Sequence, residues 1–512
     1  MNHIKIKILV LMVLMAAGIS CKKQWDSQSA GTDQQLNQNL MQAISAQSNL
    51  STFAGYLSKL GYDKLLSSSL TYTVWAPDNQ ALSAIDQSIV ADTAKLRAFV
   101  NNHIAKQSFF TADAKTGIRV RTLGGKRITF TSTGVEDATI TTPNRYVANG
   151  VLHIINKALP PKMNIYEFIK NLTGTGQLVR TYILGQDTSY TDTTKATVSG
   201  IDKTTGKPIL VAGTGLVSMN KYAARVANIQ SEDSLYTFFV LTDNAYNNER
   251  NKISKYFKTV SGSVDTTMNM LAALNVLKDV AVKGVVLPAN LPASLKSVNG
   301  VPVPIDKSTI LQTYQASNGI VYVIDKMDFA VSDKITPIII QGEAPTFFAR
   351  TDRRSNYAYR VKNDPNGITY HDLMVSGSGL PAAYYAGYRL SNLYTCQYKV
   401  IWRAINDFYT TNTNISQRLG FSMIRNTVGR DGFLPLVQFP YTNVTPLNYN
   451  EVTLTGATNP NPTAGGTISV VSGTLSVDKY SSVDMFLQGA NSTTVNANIF
   501  TADYIKLIPI LN

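Results

Sequence analysis

Histidine and cysteine are scarce in this sequence, with four histidines and two cysteines among 512 residues. That scarcity excludes several kinds of chemistry. Cys21 and Cys396 cannot build a disulfide framework, and neither has a neighbouring cysteine or histidine cluster to make a metal site. His3 stands at the start, which leaves His103, His153 and His371 as acid–base groups near neutral pH. His-Glu-x-x-His, Cys-x-x-Cys and a Gly-Lys-Ser/Thr phosphate loop are all missing. Gly174-Thr175-Gly176 runs on to Val179 where a dinucleotide fingerprint needs glycine. Ser376-Gly377-Ser378-Gly379 lacks the first glycine of a nucleophile elbow. The sequence therefore nominates no catalytic residue, no metal and no cofactor. Paired carboxylates for glycoside hydrolysis leave no sequence signature, so a hydrolase stays open as the alternative.

Long apolar runs are also lacking. Ile8–Ile19 is an apolar stretch of twelve behind Lys5 and Lys7, shorter than the roughly 20 residues that span a bilayer as a helix. It reads as a signal peptide over residues 1–20. Gly18-Ile19-Ser20-Cys21 resembles a bacterial lipoprotein processing site, although Gly18 stands where a large aliphatic residue is usual. Cys21 is then the lipidation site, residues 21–35 are a polar tether, and the membrane is a partner through an N-terminal lipid. The competing account is ordinary cleavage that leaves a free thiol. Localisation follows as a cell envelope, with the outer membrane as the expected site. The net charge of +14 contains no run of five basic residues, which fits a scattered solvated surface. On an exported protein it argues for no nucleic acid partner.

What the chain does have is a large internal repeat. Thr73-Val74-Trp75-Ala76-Pro77-Asp78-Asn79-Gln80-Ala81 runs from an apolar strand through a turn signal into a helix pattern. Phe238-Phe239-Val240-Leu241-Thr242-Asp243-Asn244-Ala245 does the same. A second pair is Asn149-Gly150 and Asn318-Gly319, each leading into an alternating strand. Between them Thr122-Leu123-Gly124-Gly125 matches Ser297-Val298-Asn299-Gly300. Three matches in one order mark a tandem repeat of a whole domain, 36–160 and 161–335. Helical periodicity at Leu40, Ile44, Phe53 and Leu57 followed by strands predicts an α+β fold in each copy. The second copy carries a Thr/Ser/Gly-rich insertion over 184–228 that alternates like hairpins, equally a functional device or a tolerated surface loop.

These motifs resemble the fasciclin-like domain. That family has a Thr-x-Phe-Ala-Pro-x-Asp/Asn-x-Ala-Phe stretch, met here by Thr73 to Leu82, and a closing strand met by Ala148 to Asn156. Its midway histidine segment matches Phe99-Val100-Asn101-Asn102-His103. In the second copy Tyr322 stands where His153 does, and Asp279 falls about where His103 does. The resemblance implies adhesion, with His103 and His153 as adhesion candidates; the residues alone favour a hydrogen-bonded scaffold role. With the N-terminal signal, the whole looks like a tandem fasciclin-like lipoprotein of a Gram-negative cell envelope.

After Phe329 the texture changes to short strand-like runs separated by turn clusters such as Asn459-Pro460-Asn461-Pro462. That spacing predicts an all-β, jelly-roll-like sandwich over 343–512. Its end, Ala502-Asp503-Tyr504-Ile505-Lys506-Leu507-Ile508-Pro509, resembles the last strand of jelly-roll carbohydrate-binding modules. Tyr384, Tyr385 and Tyr388 lie in a Gly/Pro-bounded stretch and are the ligand-binding candidates, because aromatic faces stack on sugar rings. Closing one end of the sandwich without touching ligand is their other reading. Glycans and other cell-surface proteins are the expected partners of a non-catalytic adhesion or ligand-binding protein, and a role accessory to outer-membrane glycan capture is among the expectations.

Overall fold

The computed structural model describes residues 34–259, 266–407, 413–423, 434–462 and 466–511. The signal segment, Cys21 and the tether as far as residue 33 lie outside them. No helix among the described residues is long and apolar enough to cross a membrane. The chain divides into two compact units, one of residues 1–171, 228–236 and 314–321, the other of 172–227, 237–313 and 322–512.

In the first unit, Asn39 opens the helix Leu40–Ser45 with a reciprocal capping box to Gln42. Leu40, Ile44, Phe53 and Leu57 turn one face of the leading helices into the core. Behind them lies a seven-stranded sheet in the order Ile104–Lys106, Tyr72–Pro77, Gly150–Ile155, Ala138–Val147, Gly134–Val135, Arg127–Phe130, Ile118–Arg121. Tyr72–Pro77 and Gly150–Ile155 run parallel and are buried at every position. They are covered on both faces, which is why both read as unbroken apolar runs. Val74, Ala76, Leu152 and Ile154 face the helices, while Trp75 and Ile155 face a second cluster with Val120 and Phe130.

The first unit also takes in three pieces of the second repeat, so packing and repeat boundaries differ. A set of cations holds them. Lys126 Nζ bonds Glu167 at 2.5 Å and Glu232 at 3.0 Å, Arg119 donates to the carbonyls of Glu232 and Ser317, and Arg127 Nε bonds Asp233 at 2.8 Å.

The second copy forms a four-stranded sheet in the order Ala281–Lys283, Tyr236–Leu241, Gly319–Ile324, Ile310–Ala316. The expected insertion is a pair of antiparallel hairpins, Asp187–Thr191 with Leu216–Asn220 and Val198–Ile201 with Pro208–Leu210. The turn at Thr204-Thr205-Gly206 is built by Asp202, whose carboxylate accepts from the Thr204 and Thr205 amides at 2.8 Å each.

The second unit also holds a β-sandwich. One sheet runs Ile338–Gln341, Tyr504–Ile510, Gln397–Arg403, Thr474–Val477, Ile468–Val471. The other runs Phe347–Phe348, Tyr385–Leu393, Ser481–Gly489, Ile415–Met423, Val437–Gln438. Tyr388, Leu419, Phe421 and Met485 of the second sheet share a single core with Tyr398, Val400, Trp402 and Leu507 of the first. A third, three-stranded sheet joins the hairpin Tyr357–Asn363 and Thr369–Val375 to Phe500–Ala502.

Candidate functional site

Both histidines singled out in the first repeat are fully buried. His103 Nδ1 donates to the Phe99 carbonyl at 2.8 Å, and its Nε2 accepts the Leu159 amide at 2.9 Å. His153 Nε2 donates to the Phe109 carbonyl at 2.9 Å, its Nδ1 accepts the Asn144 amide, and its ring stacks on Trp75. Burial lowers the pKa of His103 to about 4 and lowers that of His153 as well. As adhesion candidates both are corrected: every ring nitrogen is committed to backbone inside the fold, so neither imidazole can meet a partner.

The second copy corrects the alignment too. The Trp75 amide donates to the His103 carbonyl and the Phe239 amide to the Val280 carbonyl, each at 2.9 Å, so Val280 stands where His103 does. Asp279 stands instead where Asn102 does, and each accepts from a hydroxyl, Asp279 from Ser297 and Asn102 from Thr122. The helix cap also moves by one residue, since Asp78 corresponds to Thr242: their amides bond the Ile155 and Ile324 carbonyls. Tyr322 does replace His153, donating to the Val286 carbonyl at 2.7 Å and stacking on Phe239.

The tyrosine cluster is corrected as well. Tyr384 and Tyr388 are each 1% exposed and belong to the sandwich core. Tyr384 OH donates to the Arg350 carbonyl and pairs with Tyr357 OH, while Tyr388 OH donates to the Gly342 carbonyl. Burial holds both hydroxyls well above the usual phenol range. The stretch is a loop as far as Tyr384 and the strand Tyr385–Leu393 beyond it, with Tyr388 on the strand's inward side. Tyr385 faces the other way, half-buried, its ring edge-on to Phe486 at 5.0 Å. Trp75 and Trp402 are core residues, as their strand patterns indicate, and Cys396 is partly buried against the sandwich core with its thiol pushed up to about 11.

A cavity of about 240 Å³ opens in the sandwich instead. Its walls come from three separate segments: Met374, Ser376 and Gly377; Thr413, Asn414 and Ile415; Asn496 and Ile499. Met374, Ile415 and Ile499 give an apolar floor, and the rim carries two amides and two hydroxyls. Asn496 takes a positive φ of 65°, a conformation asparagine tolerates. Gly377 has φ 102°, and a Cβ there would lie 3.0 Å from the Asn356 amide nitrogen. Among the described lining residues none is charged. Four of the sandwich carboxylates lie elsewhere, in ion pairs. Asp372 and Asp407 are held by Arg360, and Asp364 and Asp503 by Arg403. Such an arrangement can bind a small neutral polyol by its C–H face and hydroxyls.

Residues 48–161 match the family model of the fasciclin domain. Transforming growth factor-beta-induced protein ig-h3 from pig (Sus scrofa) is 28% identical over 132 residues, 24% of this chain and 19% of that protein. The chain thus spans about a fifth of the length of that curated relative. Among solved structures, a FAS1 domain pair from the insect cell adhesion molecule fasciclin I aligns with 56% of this chain and 99% of its own, at 14% identity and a TM-score of 0.23. A β-1,3-glucan binding CBM6 from Bacillus halodurans aligns with 33% of this chain and 92% of its own, at 12% identity and a TM-score of 0.20. The first repeat matches the fasciclin-domain model and the second rebuilds its backbone hydrogen bonds, so the chain carries fasciclin-like domains in tandem ahead of an all-β sandwich.

Proposed function

We propose that this chain is a non-catalytic binding protein of a Gram-negative cell envelope, tethered to the outer membrane by lipid on Cys21. In this reading the sandwich takes neutral glycans at the cavity walled by Met374, Asn414 and Asn496, and the fasciclin-like pair serves adhesion as a scaffold. The observation that carries the glycan assignment is the cavity's make-up, an apolar floor with an uncharged amide and hydroxyl rim. Sugars need that combination, and a hydrolytic site would need a free carboxylate pair. Calorimetry on the soluble chain lacking residues 1–21, titrated with di- and trisaccharides of glucose, xylose and mannose, tests it. Binding to one series that falls about tenfold or more in Asn414→Ala/Asn496→Ala supports the assignment. Release of reducing sugar instead would move the protein to the hydrolases.

The tether has its own check. Cys21→Ser should move the protein from the membrane to the soluble fraction. Mass spectrometry of the wild-type protein that finds no acyl chain on Cys21 would remove the lipid from this reading.

A further inference from the structure

The hairpin Tyr357–Asn363 and Thr369–Val375 is turned inside out over its outer half. Register places Tyr357, Tyr359, Val361 and Asn363 on one face with Val375, Leu373, His371 and Thr369. At one end this face is ordinary core, since Leu373 and Val375 are fully buried. Beyond Leu373 the core stops, and two apolar side chains continue the face beside His371, Asn363 and Thr369: Tyr359 is 57% and Val361 65% exposed. The charged side chains are on the other face, where Asp372 is buried, Arg360 keeps 12% of its side chain exposed and Lys362 48%. Arg360 Nε bonds Asp372 at 2.8 Å and its Nη1 bonds Asp407 at 2.8 Å, and Lys362 pairs with Asp407. A half-solvated strand normally does the reverse. Tyr359 is moreover the one aromatic ring among the described sandwich residues that is more than half exposed.

We infer that this open face is a second contact surface for a neutral polysaccharide, with Tyr359 as the stacking platform and His371 and Asn363 as hydrogen-bonding groups beside it. The proposal rests on the glycan reading above but uses different residues. Met374 of the cavity pairs with Ala358 and so belongs to the opposite face of the hairpin. Size selects the occupant. A stable protein interface removes about 800 Å² from each partner, far more than a strip one or two side chains wide offers. Charge selects it further: the face carries no aspartate, glutamate, lysine or arginine, and the cations behind it are already paired with Asp372 and Asp407, so an acidic polymer finds no free lysine or arginine there. An extended sugar chain brings flat C–H faces for Tyr359 and Val361 and hydroxyls along its edges. The Asn363 amide is oriented for them by the Thr369 hydroxyl, which donates to its Oδ1 at 2.8 Å.

The test is affinity electrophoresis of the chain lacking residues 1–21 in gels containing soluble β-1,3-glucan, xylan, mannan or alginate, beside calorimetry with the matching trisaccharides. Tyr359→Ala should weaken binding to a neutral polymer about tenfold while leaving trisaccharide affinity unchanged, and Tyr359→Phe should keep wild-type binding. Asn414→Ala/Asn496→Ala should do the opposite, losing the trisaccharide and retaining part of the polymer affinity. Wild-type polymer affinity in both Tyr359→Ala and Val361→Lys overturns the second surface and leaves the cavity reading intact. Binding to alginate alone, or a dimer in analytical ultracentrifugation that Tyr359→Ala dissolves, overturns the neutral glycan as occupant. No binding to any polymer or trisaccharide overturns both readings.

Discussion

The two repeats share one backbone plan and fill it differently. Asn149 and Asn318 each accept the first amide of a leading helix, Leu40 and Ile165, and each donates to two carbonyls, of Leu66 and Ser68 or of Ile229 and Ser231. Gly150 and Gly319 follow with φ of 151° and 153°, and a Cβ at either would strike the carbonyl oxygen of Tyr72 or Tyr236. Thr73 and Thr237 bridge the same loop, each donating to one carbonyl and accepting one amide. Against this constancy the interior side chains change freely: Trp75 and His153 become Phe239 and Tyr322, and the neutral Asn102 becomes the charged Asp279. What persists is the hydrogen-bonding role, not the residue. A buried donor to the loop carbonyl is required, and an imidazole or a phenol supplies it equally well.

The largest effect should come from the charge that only the second copy buries. Lys334 Nζ bonds Asp279 at 2.6 Å and the Asn275 carbonyl at 2.9 Å, and lies 3.8 Å from the Phe329 ring centre, with both charged side chains essentially inaccessible. Burial lowers the lysine's pKa to about 8 despite its partner. Lys334→Met leaves Asp279 buried without its cation and should cost about 3–5 kcal/mol. Asn102→Ala in the first copy, a neutral loss, should cost about 1–3 kcal/mol. Hydrogen exchange of the helix Thr266–Leu277, which carries Asn275, reads the first change locally. Pairing Lys334→Met with Asp279→Asn copies the first repeat's solution and should recover most of the loss. Unchanged protection in Lys334→Met alone would mean that the pair contributes no stability and that the copies differ in name only.

Much of this plan is legible in the sequence because it is written in local signals. The Asn-Gly pairs, the hairpins within 184–228 and the last strand, Tyr504–Ile510, fall where turn chemistry and alternation put them. The failures are of two physical kinds. Asp78 and Asp243 look equivalent by identity, yet the capping role tolerates Asp or Thr, so the register slipped by one residue. Near Tyr384, Pro381 and Gly387 suggested a loop. Gly387 sits inside a strand because the Phe347 ring lies where its Cβ would be. Tyr388 and Leu390 keep the period of two that marks an inward strand face, and that signal was the better one. The cavity could not be found this way at all, since segments around 374, 414 and 496 meet only in the fold. Tyr359 stood in an unremarked strand whose exposed side no pattern reveals.

The smaller effect concerns acid, and it should separate the copies by the size of their response. His103 is neutral in the folded first repeat, with a pKa lowered from 6.5 to about 4 by burial. On unfolding it regains its ordinary value, so between those limits the unfolded state binds more protons than the folded one. Stability therefore falls as pH drops from about 6.5 towards 4, by about 2 kcal/mol at pH 5 from this residue. His153, held low by the same cause, acts in the same direction. Val280 and Tyr322 stand at the equivalent positions of the second copy, and neither titrates in that window. Hydrogen exchange at pH 7 and pH 5, corrected for intrinsic rates, should show protection falling in the strands Tyr72–Pro77 and Gly150–Ile155 more than in Tyr236–Leu241. Glutamine at position 103 can accept the Leu159 amide and donate to the Phe99 carbonyl without titrating, so His103→Gln should flatten the acid response of the first copy. Equal loss of protection in both copies, unaltered by His103→Gln, would assign acid sensitivity to groups the repeats share and not to the residues by which they differ.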